Sequence, residues 1–219
     1  MQRHPVNRNL SVYSGETFHG FAIMADKGPF IYEYLETLKV TIGRALGQYP
    51  RVFAFRCDLR FPANALRSDK GDSNSVMSEF LASFKAQIES SRNVAARNNQ
   101  HTHKSEVRYV WAREQGQGSN VHHYHLLILL NWDAFYTLGR FGSERVNMIH
   151  RLEQAWACAL RLPLDCIQGL VHIPRDAKHH IRRYDPIGQE RLFYRASYLC
   201  KEATKPFGNS CHVFGSSRN

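Results

Sequence analysis

His123-Tyr124-His125 places two imidazoles at i and i+2, and Tyr194, Tyr198 and Lys201 recur later at i, i+4 and i+7. A strand repeats its side-chain direction every two residues, so His123 and His125 share a face and His122 and Tyr124 take the other. Two imidazoles on a stiff strand suit a single divalent cation. In a helix, the later set also shares one face. Tyrosine is a poor nucleophile while protonated, with a pKa of about 10. It needs a phosphate whose charge is already partly neutralised. A divalent ion polarises the non-bridging oxygens and orients the phosphate for in-line attack. Attack then leaves a phosphotyrosine and a free 3′-hydroxyl, and the covalent link keeps the bond energy for rejoining. Lys201 would stabilise charge at the phosphate or lower the tyrosine pKa. Taken singly, a His-x-His pair is often incidental and paired tyrosines more often pack than react. Their combination is what suggests phosphodiester chemistry.

The elements that must position these residues follow from periodicity. Leu126 to Leu130 is a continuous apolar run, which suits a strand buried on both faces. Residues 105–114 read as a second strand, and Gly116 and Gly118 mark a turn between the two. The resulting hairpin brings Glu114 beside the start of the histidine strand, where an oxygen ligand is chemically sensible. Arg51 to Phe61 reads as a further strand, Ile167 to Ile173 as a fourth, and Arg175 to Tyr184 as a basic loop. Helices are expected over Phe30–Leu46, Ser75–Arg97, Ser143–Leu160 and Ile187–Thr204. A loop carrying Arg67, Lys70 and Gly71 precedes the second of them. The order suits an α+β fold with one largely antiparallel sheet and packed helices. Residues 1–29 read as a polar N-terminal extension with no assignable role, 30–208 as a single domain, and 209–219 as a polar tail.

Lys and Arg number 29 against 19 Asp and Glu, a formal charge of +10 that favours a polyanionic partner. Five scattered cysteines show no CxxC spacing, so neither a disulfide framework nor a zinc cluster is indicated. No run approaches the length of a membrane span and no signal segment opens the chain. A bacterial cytoplasmic setting without a membrane partner is the expectation.

His123-Tyr124-His125 resembles the His-hydrophobe-His motif of the HUH endonucleases. Tyr194 to Lys201 resembles the Tyr-x-x-x-Tyr-x-x-Lys signature of rolling-circle replication initiators with paired tyrosines. Trp111 to Glu114, His123 to Asn131 and Ser197 to Lys201 resemble the inovirus gene-II-like family, which includes the YagK/YfjJ proteins of bacterial prophages. The similarity runs from about Tyr49 to Arg218 and is weakest over the first 30 residues. The resemblance implies a Rep-type HUH nuclease domain that nicks and joins single-stranded DNA. It implies Mg²⁺ or Mn²⁺ held by His123, His125 and Glu114, with His172 as the competitor for the third place; Mn²⁺ accepts mixed N and O ligands more readily. Tyr198, with Lys201 three residues on, is the favoured nucleophile, and Tyr194 the acceptor in the closing step. Arg56, Lys178, Arg182, Arg183 and Arg195 are candidate DNA contacts. The implied role is initiation of rolling-circle replication of a phage, prophage or plasmid at an origin or hairpin, with a host helicase and polymerase. A transposase or relaxase with the same chemistry is one alternative, and a non-catalytic DNA-binding regulator is another.

Overall fold

The computed structural model describes residues 2–62, 74–116, 121–208 and 211–218. The expected loop with Arg67, Lys70 and Gly71, and Gly118 of the hairpin turn, lie outside the described residues. Chain order runs β1 (Gln2–Arg3), β2 (Ser11–Tyr13), β3 (Thr17–Phe18), β4 (Phe21–Ala22), β5 (Phe30–Ile31), α1 (Tyr32–Gln48), β6 (Arg51–Arg60) and α2 (Ser75–Asn98). It continues with β7 (Arg108–Gln115), β8 (His122–Asn131), α3 (Met148–Leu160), β9 (Val171–His172), β10 (Lys178–Arg182), α4 (Pro186–Ser197) and β11 (Phe214–Ser216). The main sheet has the order β10-β6-β8-β7-β11, with β9 paired to β6 beyond the end of β10. Every pairing in it is antiparallel. The α+β arrangement expected from the sequence is therefore present.

Strand alternation sorts the sheet into two faces. One face carries Phe53, Phe55, Cys57 and Leu59 from β6 and Tyr124, Leu126, Ile128 and Leu130 from β8, packed against α2 and α3. Trp156 of α3 is fully buried there, and its Nε1 donates to the Arg60 carbonyl at 2.8 Å. The other face carries Val52, Ala54, Val110, Ala112, Leu127 and Leu129, packed against α1 and α4. This second face changes character halfway along. Past Ala54, β6 presents Arg56 and Asp58; past Leu127, β8 presents His125 and His123; past Ala112, β7 presents Glu114. The register sets Asp58 opposite His125 and Glu114 opposite His123. The apolar half anchors the helices and the polar half is left as a site.

Several expectations are corrected. Residues 178–182 form an edge strand rather than a loop. The outer side of β6 has backbone groups that need partners, and β10 supplies them despite a Lys-His-His-Ile-Arg sequence of low strand propensity. Helix α3 starts at Met148, capped by Asn147 accepting from the His150 N–H at 3.0 Å. Ser143 accepts locally from Arg145 N instead, so it caps nothing. The Ile167–Ile173 strand shrinks to Val171–His172 behind a 3₁₀ turn. Within the stretch read as a polar extension and the residues just after it, β1, β2 and β5 make a three-stranded sheet, and Phe18 and Ile23 are buried against the α1/α4 face. The C-terminal segment likewise contributes β11 as the sheet edge beside β7. Among the described residues, no helix is long and apolar enough to cross a membrane.

Candidate metal and tyrosine site

The polar half of the α1/α4 face gathers Glu114, His123 and His125, with one ligand atom from each lying within 4.8 Å of the others. The two imidazole Nε2 atoms are 3.1 Å apart. Two lone pairs facing at that distance repel unless a proton or a cation sits between them. Cis ligands on an octahedral ion with bonds of about 2.1 Å would be roughly 3 Å apart, so the donor set fits a small divalent ion. Glu114 Oε2 lies 3.5 Å from His125 Nε2 and completes the group.

Asp58 orients the central imidazole. Its Oδ1 is 2.6 Å from His125 Nδ1, and its Oδ2 is 3.1 Å from His172 Nδ1. An ionised carboxylate only accepts, so both Nδ1 atoms donate to it. The His125 proton is thereby placed on the side away from His123 and Glu114, and Nε2 is turned toward them. Carboxylate–histidine pairs of this kind commonly stand behind metal ligands. His172, the competitor for the third ligand position, is turned to Asp58 and lies outside the cluster. His122 follows strand alternation and also lies outside it.

Glu114 is buried and heavily engaged. Lys201 Nζ lies 2.8 Å from its Oε2 and Lys205 Nζ 3.2 Å from its Oε1, and the Thr204 hydroxyl donates to Oε2 at 2.8 Å. Burial works against this carboxylate, but the His125 hydrogen bond and the lysine cations overcome it and hold it well below the usual range. Burial and then the neighbouring His125 push His123 down to about 4. Burial also opposes a charge on His125, yet its bonds to Asp58 and Glu114 prevail and raise it. An electron pair for a metal is thus available at His123 at neutral pH.

Lys201 donates to the Tyr198 hydroxyl at 2.7 Å. The same ammonium therefore touches a metal-ligand candidate and a nucleophile candidate. The Tyr198 ring stands edge-on to His125, with centroids 5.3 Å apart, and the Arg56 guanidinium lies over it at 5.0 Å.

A family model described as the YagK/YfjJ C-terminal domain matches residues 13–217. The chain belongs to this family. It is 30% identical over 202 residues to uncharacterized protein YagK of Escherichia coli (strain K12), covering 87% of this chain and 95% of the relative. It is 28% identical over 202 residues to uncharacterized protein YfjJ of the same organism, covering 87% of this chain and 96% of the relative. No solved structure gives a significant match.

In this YagK/YfjJ-family chain the tyrosine turn departs from the expected helix. Helix α4 opens with Asp185 capping Gly188 N at 2.9 Å and Pro186 at its first position, but it ends at Ser197. Tyr198–Cys200 tighten into a 3₁₀ turn, and Lys201 leaves in an extended conformation to bridge Phe30. The N-terminal segment enforces that stop. Glu202 N donates to the Pro29 carbonyl at 2.8 Å, and Met24 N donates to Ser197 Oγ at 3.0 Å. Tyr194 stays at the surface, 37% exposed, with its backbone carbonyl accepting from Ser197 Oγ. So Lys201 touches Glu114 and Tyr198 lies against His125, while Tyr194 is exposed one turn earlier.

The candidate DNA contacts separate as well. Lys178 and Arg182 are exposed on β10. Arg183 donates to the carbonyls of Leu46 and Gly47, capping α1. Arg195 donates to the Arg175 carbonyl at 3.0 Å. Arg56 is only 5% exposed and lies beneath Tyr198 rather than on an open surface. Sequence reading missed Asp58, Thr204 and Lys205. Asp58 was visible as a carboxylate two residues from Arg56 on the same face of a strand candidate, but only the register makes it His125's partner.

Proposed function

We propose that this protein is a metal-dependent, HUH-type single-strand DNA endonuclease and strand-joining enzyme that forms a 5′-phosphotyrosine through Tyr198. The observation that supports this most is the single Lys201 ammonium held between the Tyr198 hydroxyl at 2.7 Å and Glu114 at 2.8 Å. The nucleophile candidate and the metal-ligand candidates thus meet on one side chain.

Glu114, His123 and His125 would hold Mg²⁺ or Mn²⁺, which supplies Lewis-acid polarisation of the phosphate's non-bridging oxygens. Lys201, by donating to the phenolic oxygen at 2.7 Å, holds it in position and puts a positive charge beside the phosphate it would attack. Attack forms the Tyr198 O–P bond and breaks the P–O3′ bond; the phenolic proton leaves to solvent and the 3′ oxygen is protonated on departure. Asp58 holds His125 in the tautomer that presents Nε2. Reversal by a 3′-hydroxyl rejoins DNA and frees Tyr198. Tyr194, at the surface one turn earlier, suits a strand that arrives after the first cleavage. Use at a replication origin of a phage, prophage or plasmid is the setting we infer from the resemblance, with host helicase and polymerase acting beside it.

The test incubates the full chain and Mn²⁺ with a library of single-stranded oligonucleotides and hairpins. A covalent protein–DNA adduct resistant to denaturing electrophoresis is expected, on the Tyr198 peptide. Tyr198→Phe should abolish it, and Tyr194→Phe should spare the first cleavage. A broad library that yields no adduct would leave a DNA-binding regulator as the better reading.

A further inference from the structure

Arg56 is a buried cation with too little compensation. Its nearest carboxylate is Asp58, at 3.8 Å, beyond good hydrogen-bond range. Asp58 is already bonded to His125 and His172. The Arg56 Nε is buried and has no hydrogen-bond partner. Burial of a charge without a partner is costly, so such a group in a native fold calls for an explanation.

A second guanidinium repeats the pattern. The Nε of Arg195, on α4, is also buried without a partner, while another of its nitrogens donates to the Arg175 carbonyl. The turn at 175–177 touches both residues: it takes the Arg195 guanidinium at the Arg175 carbonyl and the Arg56 backbone N–H at the Ala177 carbonyl, 2.9 Å away. Arg195 lies close enough for its charge to act on Arg56 and on His179. Burial first, and then that charge, push His179 downward, and burial pushes Arg56 downward against the pull of Asp58. The buried carboxylates nearby are Asp58 and Glu114, and Glu114 is matched by Lys201 and Lys205. Two like charges near one another, one of them over the Tyr198 ring and each with a buried Nε left unpaired, suit an anion that reaches their remaining nitrogens.

We propose that Arg56 and Arg195, walled by the 175–177 turn and the Tyr198 ring, form a pocket that binds a phosphodiester group next to the nucleophile. The pocket deepens the nuclease reading by naming the groups that hold the substrate's phosphate, and it does not need the metal. Planar forked donors suit a phosphate better than a lysine would. Exposed Lys178 would add only general attraction.

The test is carried out on the full chain in EDTA, with dTpdT as the phosphodiester and inorganic phosphate as the free anion, read by ³¹P chemical shift and by thermal unfolding. Expected is saturable binding of dTpdT, weakened at least about ten-fold in both Arg56→Met and Arg195→Met, since a hydrogen bond to a charged group is worth about that much. Lys85→Ala, on α2 against the opposite face of the sheet, should change it less than two-fold. Arg56→Met should fold with unchanged or higher thermal stability, because an apolar replacement of a poorly paired buried charge removes its desolvation cost. Arg195→Met, at a half-buried position, tests the same pocket without relying on the core. Wild-type affinity in both variants overturns the proposal, and so does binding of inorganic phosphate without binding of dTpdT. If adducts form with Mn²⁺ but both variants bind dTpdT normally, the pocket fails and the nuclease stands. If no adduct ever forms while both variants lose dTpdT, the pocket stands and the nuclease fails.

Discussion

Replacing Asp58 with Asn isolates the electrostatic part of the histidine's support. The amide oxygen can still accept from His125 Nδ1, and the amide nitrogen can donate to His172 Nδ1 once that ring changes tautomer, so the geometry survives and the charge is lost. The bond removed is short, 2.6 Å, and carries a full charge. Hydrogen bonds to charged groups contribute about 1.5–3 kcal/mol, and every 1.4 kcal/mol is about ten-fold in an equilibrium constant. Retaining a neutral bond returns part of that, so Mn²⁺ affinity should fall about ten-fold and no more than about a hundred-fold, the range seen for such supporting groups. Titration of free Mn²⁺ by its electron-paramagnetic-resonance signal reads the dissociation constant directly, and far-ultraviolet circular dichroism confirms the fold. A Asp58→Asn affinity within two-fold of the parent would refute the idea that Asp58 sets the basicity and tautomer of a metal ligand.

Lys201→Met should separate two roles. Removing a cation 2.8 Å from Glu114 should tighten Mn²⁺ binding by roughly ten-fold, since like charges at such range repel by a few kcal/mol before screening, while adduct formation slows by at least about a hundred-fold. Slower cleavage with unchanged metal affinity would remove Lys201 from the cluster. In EDTA, acid should destabilise the chain through His123. With its folded value near 4, set first by burial, it stays neutral while the unfolded imidazole titrates near 6.5. The unfolded state then binds more protons between those values, so stability falls as pH drops from about 6.5 to 4. His123→Gln should flatten that slope in urea unfolding at stepped pH, and equal slopes would contradict it. Glu114, depressed in the fold, adds stability that is present above about 4.5 and lost as pH falls below it, so the stability difference between wild type and Glu114→Gln should shrink in strong acid. Ser197→Ala removes the acceptor of Met24 N at a fully buried position, and should cost about 1–3 kcal/mol in chemical denaturation while slowing adduct formation by loosening the Tyr198 turn.

The amino-acid order by itself determined the pieces whose physics is local. Two-residue alternation put His123 and His125 on one face, the apolar run after them marked a buried strand, and Gly116 and Gly118 signalled a hairpin, whose strand pairing sets Glu114 opposite His123. Helical stripes placed α1, α2 and α4 to within a few residues at their starts. Whatever depended on partners distant in sequence was decided by the tertiary structure. Asp58 meets His125 only because β6 pairs with β8 in one register out of several that the apolar pattern allows. Lys-His-His-Ile-Arg became a strand because β6 had an unpaired side. Helix α4 stopped at Ser197, where its own periodicity would have continued it, because Pro29 and Phe30 bind Glu202 and Lys201 through the backbone. That stop, imposed by a segment whose composition looked featureless, sets Tyr198 against His125 and Lys201 against Glu114.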